Sequence, residues 1–342
     1  MPRLLTSIPL LAGLIATACT QSSGLLNSEE APGWITGQPQ DYPDSRYLHA
    51  TGSASTAERA QDRALANLAK IFEMQVRESS TTTQDVQSFR AGGVESVEAS
   101  ARIASRVNIH TSEMIAGARV AARWQSPADL THHALAVLDR SQASNNVRGE
   151  IDRLDREIAY IMATAETRPP DLRKVADLQA AIVMLTERNA LQKTLKVLDL
   201  RGRGKPTSWK LSELKAEQMQ AIRSMNMRAV VTADAVGDLA KMLQGAMANA
   251  GFDAAVDYSG YVLSATVATQ DMIEQQGWYW LRGTLELGLL SPDGTSLGNK
   301  SWALKVSAQQ PDQLNQRMLA EIDRTLKSEL KQTVLDFAVA EQ

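Results

Sequence analysis

Between residues 144 and 198 apolar residues recur in steps of three and four. Val147, Ile151, Leu154, Ile158, Ile161 and Ala165 form one such run, and Pro169-Pro170 stops it. Asp171 is placed to cap a second run of Leu172, Val175, Leu178, Ile182 and Leu185, which then slips to Leu191, Leu195 and Leu198. Alternating steps of four and three make a heptad seam. Two seams joined at a Pro-Pro turn predict an antiparallel helical hairpin roughly 35–40 Å long at about 1.5 Å per residue. Asp152–Arg156 and Glu150–Arg153 fall at i,i+4 and i,i+3 beside the first seam, as on a solvated helix flank. The stripe is too narrow to be buried on every side, which leaves the hairpin able to project from the body.

The flanking segments mix both periods. Tyr47 to Ser53 reads as a strand ending at Gly52. Thr56 then caps a helix with Ala57, Ala60, Ala64, Leu68 and Ile71 on one face, widened by Leu65 and Phe72. Ser79 to Thr83 is a polar edge strand or loop, Gly92-Gly93 break the chain, and a weaker helix is expected around Val97 to Val107. Ala116 to Trp124 and His132 to Leu138 read as neighbouring strands split by Ser126-Pro127. Beyond a basic Gly/Pro loop, a helix from about Trp209 to Met225 leads to Val230-Val231, a short strand. Asp234 caps a helix carrying Val236, Leu239, Leu243, Met247 and Ala250, which Gly251 ends. Strands follow at Tyr261–Thr269, at Tyr279–Leu289 and around Trp302–Val306, and Pro311 opens a last helix through Leu314, Met318, Ile322, Leu326, Leu330 and Val334. The order βαβββα predicts helices segregated on one face of an antiparallel sheet. The fold class expected is α+β: two small α/β sandwich-like domains flanking an antiparallel helical (coiled-coil) hairpin.

The N-terminus has a different pattern. Arg3 precedes an apolar stretch (Leu4, Leu5, Ile8, Leu10, Leu11, Leu14, Ile15) that ends in Ala16-Thr17-Ala18-Cys19. As a helix, Leu4 to Ala18 reaches roughly 22 Å, short of a hydrocarbon core of about 30 Å, so it reads as a secretory signal and not a span. Ala16-Thr17-Ala18-Cys19 resembles the lipobox of bacterial lipoprotein precursors, with Ala16 standing where that motif usually has Leu. The resemblance implies cleavage between Ala18 and Cys19 and a diacylglyceryl and palmitate-bearing Cys19. Ala16-Thr17-Ala18 also fits an ordinary A-x-A site, which would leave Cys19 bare. The position of the chain's single cysteine favours lipidation. Thr20 after the Cys implies sorting to the outer membrane, since Asp there signals inner-membrane retention. Residues 20–33 are polar and breaker-rich, a tether. The chain therefore divides into a signal peptide (1–18), lipidated Cys and tether (19–33), an α/β domain (34–140), the hairpin with a connecting helix (141–227) and a βαβββα domain (228–342).

Composition narrows the functional classes. At 44% hydrophobic and 22% charged, 342 residues support two or three cores and give no sign of wholesale disorder. Removing residues 1–18, whose one charge is Arg3, takes the net charge from −3 to −4, so no basic field attracts nucleic acid. One cysteine excludes an internal disulfide and a thiolate zinc site.

Pro32-Gly33-Trp34-Ile35, Tyr47-Leu48-His49-Ala50-Thr51-Gly52, the Ala-rich helix with Asn67-Leu68-Ala69, and Ala134 to Arg140 together resemble the Lpp-twenty family of membrane-associated lipoproteins. A similar domain opens the flagellar assembly protein T. The resemblance covers about a third of the chain. It implies an envelope lipoprotein and brings no catalytic residues to carry over.

Candidate chemistry is sparse. His132-His133 point to opposite faces of a strand and are poorly placed to share a metal. His49 and His110 stand without ligand partners. No nucleophile elbow, zincin, Walker or dinucleotide motif is present, and Asp152 and Asp155 read as part of a solvated helix surface. Arg201, Arg203, Lys205 and Lys210 form a basic loop, either simply solvated or a grip for phosphate on lipopolysaccharide or a wall polymer. Trp278 and Trp280 share the strand face opposite Tyr279 and Leu281; they form a contact patch if that face is open and core if it is covered. The expectation is a periplasm-facing outer-membrane lipoprotein, not an enzyme and without metal or cofactor. It would act as a scaffold or assembly factor through an envelope protein partner, with peptidoglycan or another envelope polymer as the alternative ligand.

Overall fold

The computed structural model describes residues 31–37, 39–78, 117–252 and 260–340. The segment read as a secretory signal, Cys19, the Ser79–Thr83 run, Gly92-Gly93, the helix expected at Val97–Val107 and His110 lie outside the described residues.

A single turn, α1 (Gly33–Thr36), precedes strand β1 (Tyr47–Ala54) and helix α2 (Ala57–Glu78). The Thr56 hydroxyl accepts from the Arg59 amide at 3.4 Å, which starts α2 where the sequence places it. Strands β2 (Arg119–Gln125) and β3 (His132–Asp139) complete an antiparallel sheet in the order β1-β3-β2. Ala134, Ala136 and Leu138 face α2, whose Ala60, Ala64, Leu68 and Phe72 are buried against them with Leu48 and Ala50. Small residues let α2 lie close on β1. A Cβ on Gly52 would sit 2.6 Å from the Ala60 carbonyl oxygen.

Strand β3 runs straight into helix α3 (Arg140–Thr167). The Asp139 carboxylate accepts from the amides of Ser141 and Gln142 at 2.9 and 3.1 Å, so the last strand residue is also the helix cap. After Pro169-Pro170, Asp171 accepts from the Lys174 amide at 2.8 Å and opens α4 (Leu172–Leu198). Helices of 28 and 27 residues are each about 40 Å long.

The hairpin does not project. The start of α3 and the end of α4 (Val147, Ile151, Leu154, Leu191, Leu195, Leu198) complete the first sheet's core. Ala165, Leu172, Val175, Ala176 and Leu178, at the other end, belong to the core of the second sheet. Between them Ile158, Ala181 and Leu185 pack on Leu214 of α5 (Leu211–Ser224), with Trp209 half-buried beside them. Helix α4 is apolar on more than one side because Ala176 and Ala181 widen the stripe, so it is covered where a bare heptad seam would be open.

The second sheet is mixed, not antiparallel throughout. Strand β4 (Met227–Asp234) pairs in parallel with β5 (Tyr261–Thr269), as the intervening helix α6 (Leu239–Ala250) requires. A three-residue strand β6 (Ile273–Gln275), which hydropathy does not reveal, pairs with the start of β7 (Trp278–Leu290). Strand β8 (Ser296–Ala308) runs along the other side of β7, and α7 (Gln313–Ala340) packs back on the sheet. Leu263, Ala265, Val267, Leu285, Leu287, Leu289 and Leu304 meet Leu243, Met247, Met318, Ile322 and Leu326 of α6 and α7 on one face. Ser301, Ala303, Lys305, Arg282 and Glu286 point to solvent on the other, the usual division for a sheet backed on one side.

Candidate functional site

Three surfaces gather the polar and aromatic residues of interest. The first lies where residues 199–210 cross the hairpin. Arg188 on α4 is almost completely buried, its side chain 1% exposed, and its Nε lies 2.8 Å from Asp155 Oδ1 on α3. Its Nη2 donates to the carbonyls of Lys205 and Pro206 at 3.1 and 3.0 Å. Lys205 turns its ammonium onto the same acids, pairing with Asp152 and lying 3.1 Å from Asp155 Oδ2, while its amide donates to Gln192 Oε1 at 2.9 Å. Asp155, its side chain 19% exposed, thus belongs to a partly buried ionic network around Arg188, while Asp152 stays on the solvated flank at 47% exposed and pairs with Lys205 instead of Arg156. Of the basic loop, Lys205 is held by these acids, Lys210 pairs with Glu213 at 2.7 Å, and Arg201 and Arg203 are exposed. Glu150 and Glu157 bracket Arg153, their hydrogen bonds raising its pKa further and fixing it as a cation.

Arg188 is the residue that sequence reasoning missed. Its signal was present: a cation three residues after Leu185 and three before Leu191, where the stripe slips.

The second surface is the end of the second sheet. Register pairs Ile273 with Trp280 and Gln275 with Trp278, so Ile273, Trp278 and Trp280 share the solvent-facing side. Gln276 and Gly277 join the strands with φ of 54° and 75°, the left-handed geometry of a two-residue hairpin turn. Met272, Ile273 and Trp278 are 48%, 51% and 40% exposed. Trp280 is half-buried, with the Lys305 ammonium 4.4 Å from its ring centroid. Arg282 and Lys305 stand directly opposite one another on β7 and β8, both exposed.

The third is a cavity of about 210 Å³ at the open end of the first sheet, lined by Ala57, Arg123, Trp124, Gln125, His132 and His133. The rings of Trp124 and His133 are 5.4 Å apart, and Arg123 donates to Gln61 at 3.0 Å. Among the described residues no group of three metal-ligating side chains comes together. No described helix is long and apolar enough to cross a membrane.

At the opposite end of that sheet the incoming chain is clamped. Arg140 donates through Nε to the Asp44 carbonyl at 3.0 Å, through Nη1 to the Val197 carbonyl at 2.9 Å, and through its amide to Arg46 at 2.9 Å. Burial lowers the Arg140 pKa, and nearby Asp44 opposes the shift. Arg46 in turn reaches Asp139 at 3.3 Å. The Gln142 amide, above all, holds the Asp139 carboxyl below its ordinary value.

Comparison with known proteins gives a match over part of the chain. No functionally curated protein matches the chain. Among solved structures, the chain is similar to the secreted protein HP1454 of Helicobacter pylori at 12% identity and a TM-score of 0.39, covering 84% of this chain and 98% of that one. A minor lipoprotein of Acinetobacter baumannii aligns at 16% identity and a TM-score of 0.25, over 34% of this chain and 94% of its own. Rare lipoprotein B of Shewanella oneidensis aligns at 8% identity and a TM-score of 0.24, over 34% and 95%. The model of the LPP20 lipoprotein family matches residues 32–139, from the Pro-Gly-Trp turn through β3. The matched stretch holds the first sheet and α2.

Proposed function

We propose that the protein is an outer-membrane lipoprotein facing the periplasm, held by lipid on Cys19, and that it works without catalysis as a scaffold or assembly factor. The LPP20 lipoprotein match at residues 32–139, directly behind the Ala16-Thr17-Ala18-Cys19 segment, is the observation that carries this reading. Several acyl chains on one residue anchor stably where a single chain would not. The body behind the tether suits presentation of surfaces more than turnover, because its buried charge Arg188, paired with the partly buried Asp155, serves to fix a loop. An envelope protein partner is the expected ligand.

The test is cross-linking in intact cells followed by pull-down of the lipidated protein, with Cys19→Ala as control. The expected result is one dominant envelope protein, absent from the control, and a Cys19→Ala variant that no longer pellets with membranes. Recovery of wall or lipopolysaccharide fragments without a protein would transfer the reading to a polymer-binding module, for which exposed Arg201 and Arg203 are the available cations. A Cys19→Ala variant that still pellets would end the lipid-anchor reading.

A further inference from the structure

The β6–β7 hairpin has a surface that the core does not need. Residues 270–278 are exposed throughout, and three of them, Met272, Ile273 and Trp278, are large and apolar. A single exposed apolar residue is unremarkable, but three within seven positions at the tip of one hairpin form a patch. The turn at Gln276-Gly277 holds the strands in register, so Ile273 and Trp278 are presented on one side together with Trp280.

The charges behind the tip are unusual for a sheet that faces only water. Arg282 and Lys305 are directly opposed cross-strand neighbours on the same side as Trp280. Like charges in that relation destabilise a strand pair. Lys305 lies over the Trp280 ring, a contact that leaves its charge uncancelled. Glu274 pairs with Tyr279 and so falls on the other side of the hairpin, and Asp271 stands at its base. An aromatic and aliphatic tip with two cations set back from it matches the interfacial layer of a bilayer. There, indole rings settle among headgroups and Arg and Lys meet phosphates.

The tether provides proximity. From Cys19 to Gly33, where α1 begins, the chain spans at most about 50 Å when fully extended. A body held that close meets the membrane surface continually, so even weak insertion is favoured by effective concentration.

We propose that the β6–β7 hairpin docks on the phospholipid surface to which the chain is tethered, with Met272, Ile273 and Trp278 entering the interface and Arg282 and Lys305 pairing with lipid phosphates. The proposal rests on the anchored reading above, and its test does not depend on cellular lipidation. Cys19 is the chain's one cysteine. The chain from Cys19 onward, which keeps every described residue, is coupled through that thiol to maleimide lipid in phosphatidylethanolamine/phosphatidylglycerol vesicles, with or without brominated acyl chains. Bromolipid is expected to quench a share of emission consistent with one of the six tryptophans. Trp278→Phe removes the quenched component. Ile273→Ser with Met272→Ser, or Arg282→Glu with Lys305→Glu, reduces it at least twofold at unchanged circular dichroism and melting temperature. Absence of quenching in the tethered parent, or quenching that persists in Trp278→Phe, overturns the proposal. Either result would leave the hairpin to a protein or wall partner. Failure of Cys19 lipidation in cells would not alter this measurement, so the two readings fail separately.

Discussion

Replacing Arg188 by Ala removes the most deeply buried charge of the hairpin. The guanidinium is 1% exposed and its partner Asp155 19% exposed, so water screens the pair little. Breaking such a pair from one side costs about 3–5 kcal/mol, because the surviving charge is left desolvated. Two features set this case at the lower end. Asp155 keeps the Lys205 ammonium at 3.1 Å, and Pro206, one of the two carbonyl residues released, is exposed enough for water to replace the donor. A loss of about 3 kcal/mol is therefore expected, read as a lower urea midpoint at unchanged m-value. The matched control is Arg188→Met with Asp155→Leu. Replacing both charges by apolar groups of similar volume is expected to recover most of the loss, since a buried pair gives little net stability over a hydrophobic contact. A midpoint for Arg188→Ala within about 1 kcal/mol of the parent would refute the buried-network reasoning.

Other perturbations test different parts of the fold. Gly52→Val drives a side chain into the backbone of α2 at Ala60, where nothing flexible can yield; a cost of about 3 kcal/mol, at the upper end for overpacking, is expected by chemical denaturation. Asp139→Ala removes the α3 cap and is expected to cost about 1 kcal/mol near pH 7. Because the folded Asp139 carboxyl is depressed, chiefly by the Gln142 amide, this contribution is complete above the ordinary carboxylate pKa of about 4. It is lost as pH falls through the lower folded value, so parent and variant stabilities converge in acid. Both sheets share cores with the same two helices. Unfolding followed near Trp124 and near Trp302 by single-tryptophan fluorescence is therefore expected to give coincident transitions; two separated midpoints would show that the hairpin does not couple the sheets.

The helices were legible because their apolar periodicity is long and their starts carry side-chain caps. Thr56 and Asp171 bond the amides that the sequence suggests, while Asp234 reaches the Leu239 amide across an intervening turn at 2.9 Å. What surrounds the hairpin was not legible, because alanine gives a weak hydropathy signal. Ala176 and Ala181 are both fully buried, yet they do not stand out beside Leu and Ile in a heptad count. The parallel pairing of β4 with β5 depends on contacts made across α6, which no local pattern encodes. Strand β6 escaped because it has three residues and a Gln-Gly turn in place of the Asn-Gly or Asp-Gly that announces a hairpin. The Trp278 side chain was singled out from the alternation alone; that its face is open follows from both helices packing on the other side.

The clamp at Arg140 has a mechanical meaning. Tyr47 pairs with Asp139, so the chain enters β1 and leaves β3 at the same end of the ladder. A pull applied through residues 31–46 against the rest of the body loads that ladder in the unzipping direction, one residue pair at a time, and not in shear along all eight. Resistance to the pull then falls on the few groups at the mouth of the zipper: Arg46 with Asp139, and Arg140 with the carbonyls of Asp44 and Arg46. Under tension the yield force of this domain is set there, by two arginines and an aspartate, while the large apolar cores behind them remain unloaded until that junction gives way.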